Sequence, residues 1–71
     1  MEEFKILSKR LFELRTLEGL TQQDVALHLK ISYQSYQAYE RGIAVPSLKN
    51  FIKLADFFDV SLDYLVGKKD Y

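Results

Sequence analysis

Residues 21–42, TQQDVALHLKISYQSYQAYERG, read as two short helices joined by a tight turn. Thr21 stands three residues before Asp24, a reciprocal capping pair, and opens the apolar series Val25, Ala26 and Leu29 at i, i+1, i+4. Ser32 caps a second helix. Lys30 and Ile31 leave room only for a turn, so the two helices cross steeply with Val25, Ala26, Leu29 and Ile31 packed in the angle.

The second helix can be read position by position at 100° per residue. With Tyr36 turned inward, Tyr39 falls on the same side, and Glu40 lies between the buried and exposed faces. Gln34, Gln37 and Arg41 then point outward together with the small Ala38 between them, and Tyr33 and Ser35 flank the strip. Glutamine donates and accepts at once and can pair with adenine N7 and N6, and alanine can touch a thymine methyl group. On these residues alone, an ordinary solvated helix face is the competing reading.

The chain resembles the helix-turn-helix family of phage repressor and Cro proteins, the Xre type. The resemblance is carried by LTQQDVA at Leu20 to Ala26, the turn at Lys30 to Ser32, YERG at Tyr39 to Gly42, PSL at Pro46 to Leu48, KLADFF at Lys53 to Phe58 and VSLDYLVG at Val60 to Gly67. With Arg15 it spans residues 5–67. It implies an all-α, five-helix repressor-like domain with the helix-turn-helix at helices 2 and 3. The helix after Ser32 would read the major groove of double-stranded DNA, usually a palindromic operator, from a two-fold homodimer. Base readout then falls to Tyr33, Gln34, Gln37 and Ala38, and phosphate contacts to Gln22, Ser32, Arg41 and Arg15. Arg15 and Glu40 occupy the positions of a family ion pair that ties helix 1 to the recognition helix.

The remaining segments place that motif. Phe4, Leu7, Leu11 and Leu14 recur at helical spacing, and Gly19 supplies a left-handed stop, so helix 1 is expected from about Glu3 to Glu18. Pro46 and Ser47 start a fourth helix with a buried stripe of Leu48, Phe51, Leu54, Ala55 and Phe58. Ser61 caps a last short helix through Leu65, closed by Gly67, and Lys68 to Tyr71 are expected to fray. No repeat or linker divides residues 1–71, which read as one domain.

The chain departs from the family pattern at two residues and one loop. Lys30 stands where glycine is usual, and a non-glycine residue in the left-handed region costs about 1–2 kcal/mol. Tyr36 replaces Ile or Val, so its hydroxyl needs a partner or the surface. Ile43, Ala44 and Val45 form an apolar loop where relatives often carry Lys or Arg. With Phe57, Tyr64 and Val66, which do not all fit the core stripes, Ile43 and Val45 are candidate dimer contacts.

Composition sets bounds. The chain has 71 residues, 48% hydrophobic and 28% charged, an ordinary globular balance. It has no cysteine and one histidine, His28, so no disulfide, metal or cofactor is expected, and packing must supply stability. Thr21 and Ser32 have no neighbouring base to make them nucleophiles, so an enzyme is not expected. Five Tyr and five Phe suggest stacking on single strands, but Tyr36, Tyr39, Phe51 and Phe58 fall on core stripes.

The net charge of zero argues against non-specific phosphate binding. Its distribution argues less so. Residues 21–55 carry Lys30, Arg41, Lys49 and Lys53 against Asp24 and Glu40, and Asp56, Asp59 and Asp63 follow with no base. No apolar run reaches membrane-spanning length, and the acidic start Met1, Glu2, Glu3 is unlike a signal peptide, so a cytoplasmic, nucleoid-associated protein of a bacterium or phage-infected cell is expected. The expected function is a sequence-specific DNA-binding transcriptional regulator, most simply a repressor. The alternatives are an antitoxin or restriction-controller protein of the same fold, or a protein-interaction module that has lost DNA binding.

Overall fold

In the computed structural model the backbone is described for residues 2–71 and the side chains from Lys5 onward. Phe4, expected on the inner stripe of helix 1, lies outside the described side chains. Five helices, and no strand, occur among the described residues: α1 Glu2–Leu17, α2 Gln22–Leu29, α3 Tyr33–Arg41, α4 Leu48–Phe58 and α5 Leu62–Leu65.

One local device starts and another stops them. Thr21, Ser32, Ser47 and Ser61 each sit in extended backbone and accept a bond from the amide three residues on. At Thr21 the Asp24 carboxylate returns the bond to the Thr21 amide, completing the box read from sequence. Each helix is closed by a residue at positive φ, namely Gly19, Lys30, Gly42, Asp59 and Gly67. The next amide then folds back onto the carbonyl five residues earlier: Leu20 to Arg15, Ile31 to Ala26, Ile43 to Ala38, Val60 to Ala55 and Lys68 to Asp63. Lys30 takes the left-handed conformation, at φ 58° and ψ 43°.

The connectors are short: Lys30-Ile31-Ser32 and Asp59-Val60-Ser61 have three residues each, and the α1–α2 connector has four, Glu18 followed by Gly19-Leu20-Thr21. Each ends on left-handed stop, apolar plug and cap, and Leu20, Ile31 and Val60 pack against the core. So short a connection fixes the crossing angle of the helices it joins.

The core consists of Leu7 and Leu11 from α1, Val25, Ala26 and Leu29 from α2, Tyr36 and Tyr39 from α3, Leu54, Ala55 and Phe58 from α4, and Leu65 from α5. α3 packs between α1 and α2, α4 supports α2, and α5 bridges α4 to α1. Each fully buried leucine among these contributes about 1.5–3 kcal/mol.

Two expectations are corrected. Leu48, placed on the buried stripe of α4, is 69% exposed. It follows the Ser47 cap directly, and side chains lean toward the helix N-terminus, so a first-turn residue overhangs the preceding loop instead of the core. The second concerns Lys68 to Tyr71, which are tied down. Arg10 Nη1 donates to the carbonyls of Tyr64 and Lys69, and Ser61 Oγ donates to the Tyr71 carbonyl. Gly67 crosses α1 so closely that a Cβ there would lie 2.8 Å from Ile6 Cδ1.

Candidate nucleic-acid interface

The α3 face is anchored from beneath by a carboxylate. Glu40 has 4% of its side chain exposed, and Arg15 of α1 has 13%. Arg15 Nε donates to Glu40 Oε2 at 2.6 Å and Nη2 to Oε1 at 3.1 Å, a two-pronged pair. Tyr36 Oη donates to Oε2 at 2.5 Å, and Gln22 Nε2 of α2 donates to Oε1 at 3.0 Å. Among the described residues no buried side-chain polar atom lacks a partner. The Tyr36 hydroxyl thus has a partner while its ring is fully buried. Spacing offered this contact, since Tyr36 and Glu40 stand one turn apart on a helix.

These contacts set the charges. Burial pushes the Glu40 carboxyl up, but the bonds from Arg15, Tyr36 and Gln22 outweigh it and hold it below the ordinary carboxylate range. The Glu40 bond raises Arg15 further. Burial first, then the Glu40 bond, drives the Tyr36 phenol far above its usual value, so it stays a donor. Three helices therefore meet on one charged oxygen pair. α1 is pinned to α3 a second time by Ser8, whose Oγ donates to the Glu40 carbonyl.

Above this anchor lies the outer face of α3. Gln34 and Arg41 are exposed, Tyr33 is 40% exposed, and Gln37 and Ala38 are half-buried. Gln37 Nε2 donates to Tyr33 Oη at 3.4 Å, and Tyr33 Oη donates to Gln22 Oε1 at 3.5 Å. Gln22 is thus held inside the network by both ends of its amide, an arrangement between helices that a wheel of α3 alone cannot show. Ser32 Oγ accepts from the Ser35 amide and donates to Ser35 Oγ. Arg15 spends three N–H groups on Glu40 and the Leu20 carbonyl. An open cleft of about 440 Å³ lies between the end of α1, the start of α2 and Tyr33, lined by Arg15, Gly19, Leu20, Thr21, Gln22, Gln23 and Tyr33.

Of the candidate dimer contacts, Ile43 and Val45 are 71% and 48% exposed, and Phe57, Tyr64 and Val66 are half-buried. Phe57 packs edge-on to Phe58 and against His28. Tyr64 lies under the Arg10 guanidinium, 4.2 Å from its ring centre. Leu48 and Ile52, one turn apart on α4, extend the exposed apolar loop along that helix. Among the described residues, no group of three or more His, Asp or Glu could hold a metal, and no helix is long and apolar enough to cross a membrane.

Two short helices crossing over a three-residue turn, with the second one's polar face outward, define a helix-turn-helix protein. Residues 11–65 match the helix-turn-helix family, and the chain belongs to it, as a member of the phage repressor and Cro (Xre) type. It is 39% identical over 64 residues to the HTH-type transcriptional regulator ImmR of Bacillus subtilis, covering 90% of this chain and 50% of that protein. It is 36% identical over 62 residues to the cryptic phage CTXphi transcriptional repressor RstR of Vibrio cholerae, covering 87% of this chain and 55% of that protein. The chain thus spans about half the length of these relatives. Its fold is similar to that of the restriction-modification controller protein C.AhdI from Aeromonas hydrophila, at a TM-score of 0.81 and 32% identity, covering 92% of this chain and 98% of that one.

Proposed function

We propose that this chain binds double-stranded DNA sequence-specifically and regulates transcription as a repressor, laying α3 in the major groove. The observation that carries the reading is the outer face of α3, Tyr33, Gln34, Gln37 and Ala38 with Arg41 at its end, above a carboxylate that locks α3 to α1 and α2. Amides at the front of the helix suit base edges, and Arg41 suits a phosphate. Gln22, Ser32 and Arg15 border the cleft or the helix starts, where amides and positive charge favour a second phosphate. Ser32 and Arg15 serve such a contact with the donors or lone pairs their internal bonds leave over. The operator is a near palindrome bound by a homodimer.

Selection of bound sequences from a random DNA pool, followed by variants, tests this. Gln34→Ala and Gln37→Ala each weaken specific binding by about 1–3 kcal/mol and relax preference at one or two bases. Arg41→Ala weakens all sequences alike and lowers the salt slope. Failure to enrich any sequence would overturn DNA reading by this face. The likeness to a restriction-modification controller supports a second reading, in which the same α3 face controls a restriction-modification operon. Adjacent endonuclease and methyltransferase genes, and binding upstream of them, would favour it over the repressor.

A further inference from the structure

Gln37 belongs to a chain of hydrogen bonds whose direction is imposed from the buried end. Glu40 is held ionised and therefore can only accept. Gln22 must turn its NH2 toward Glu40, at 3.0 Å, which leaves its carbonyl oxygen facing Tyr33. Facing an acceptor, the single Tyr33 proton goes to Gln22, and the phenol oxygen is left to accept. It accepts from Gln37 Nε2, so the Gln37 NH2 is turned inward and its Oε1 is presented outward. Reversing any one amide would set two acceptors or two donors face to face.

We propose that Gln22 and Tyr33 are positioning residues that transmit the polarity of Glu40 to the Gln37 amide, making Gln37 select a base-edge donor, adenine N6 in particular, and reject guanine. This rests on the reading of α3 as a recognition helix. Adenine offers N6–H to the outward Oε1 and N7 to the N–H that Tyr33 leaves over, whereas guanine offers O6 and N7, both acceptors. A glutamine free to turn its amide serves either purine. The bare sequence of α3 therefore leaves the base preference open, and a residue of α2 fixes it.

Selection from a random DNA pool with the parent, Gln37→Ala, Tyr33→Phe and Gln22→Met tests this. Gln37→Ala identifies the base pair that Gln37 faces. At that pair, Tyr33→Phe is expected to lower the preference for adenine over guanine roughly two- to tenfold, the value of one ordinary hydrogen bond. Gln22→Met should lower it as much, and the double variant no further, since both cut the same chain. Phenylalanine keeps the ring, so an unchanged thermal midpoint for Tyr33→Phe excludes unfolding as the cause. Retained adenine preference in Tyr33→Phe and Gln22→Met, with Gln37→Ala abolishing it, would overturn the relay and leave DNA reading by α3 standing. No change of preference in Gln37→Ala would overturn both.

Discussion

Glu40 accepts four side-chain bonds from three helices, so its removal strands a guanidinium, a phenol and an amide together. Removing one partner of a buried pair costs about 3–5 kcal/mol, and Glu40→Ala is expected near the lower end because Arg15 and Gln22 lie close to solvent. Arg15→Ala should also destabilise, and the double variant should lose less than the sum, as denaturant midpoints of the four proteins would show. Strict additivity would mean the residues do not act as a pair. The folded carboxyl is held low, so its contribution is present above the unfolded value, about 4.5, and is lost as pH falls through the folded one. Acid melts should therefore show the parent losing stability below about pH 5 more steeply than Glu40→Ala. At this scale much was legible, because the wheel put Glu40 on the boundary and the family likeness supplied Arg15. Gln22, Ser8 and Arg10 as tethers were not, since their partners lie on other helices and no periodicity marks them.

The helices carry their signals at their ends. Caps at Thr21, Ser32, Ser47 and Ser61, and stops at Gly19, Gly42 and Gly67, are readable because hydroxyls and glycine have few other uses at those offsets. Asp59 at φ 56° carries no glycine to mark it as a stop, and neither does Lys30 at φ 58°. Lys53 of α4 donates from Nζ to the Leu29 carbonyl at 3.1 Å, placing a cation at the end of α2. Lys30→Gly removes the left-handed penalty at some entropic cost and should stabilise by about 0.5–1 kcal/mol. An increased denaturant midpoint at unchanged slope would show it, and a decrease would mean the Lys30 side chain contributes elsewhere. Gly67→Ala should do the opposite, destabilising by more than about 1 kcal/mol, because its Cβ would meet Ile6 as well as an unfavourable φ.

The described residues extend 27 × 23 × 20 Å, whereas successive major grooves on one face of DNA repeat every 34 Å or so. On the proposed reading these residues reach one groove, and a palindrome is read by two copies. Ile43, Val45, Leu48 and Ile52 are exposed and apolar, whereas Tyr64 is occupied by Arg10 within its own chain, so the dimer contact is proposed at the former. Ile52→Glu is expected to reduce self-association and cooperative operator binding while leaving the thermal midpoint nearly unchanged, since this side chain is already 43% exposed. Sedimentation velocity and operator titration would show both. Unchanged cooperativity would move the contact to the Phe57, Tyr64 and Val66 region. The sequence placed most of the core but put Leu48 inside it, because periodicity counts turns and does not see where a first-turn side chain overhangs.

The three-residue connectors also govern which insertions and deletions the gene can survive. One codon gained between Lys30 and Ser32 would break the fixed spacing of left-handed stop, apolar plug and cap in a connector of three residues, shifting α3, and Glu40 with it, relative to α1 and Arg15. The same codon gained between Gly42 and Ser47 falls in a non-helical stretch whose Ile43 and Val45 are exposed, and it lengthens a loop without turning a helix. Length variation among descendants of this chain should therefore collect ahead of α4, where it alters the apolar surface and leaves the register of α3 untouched.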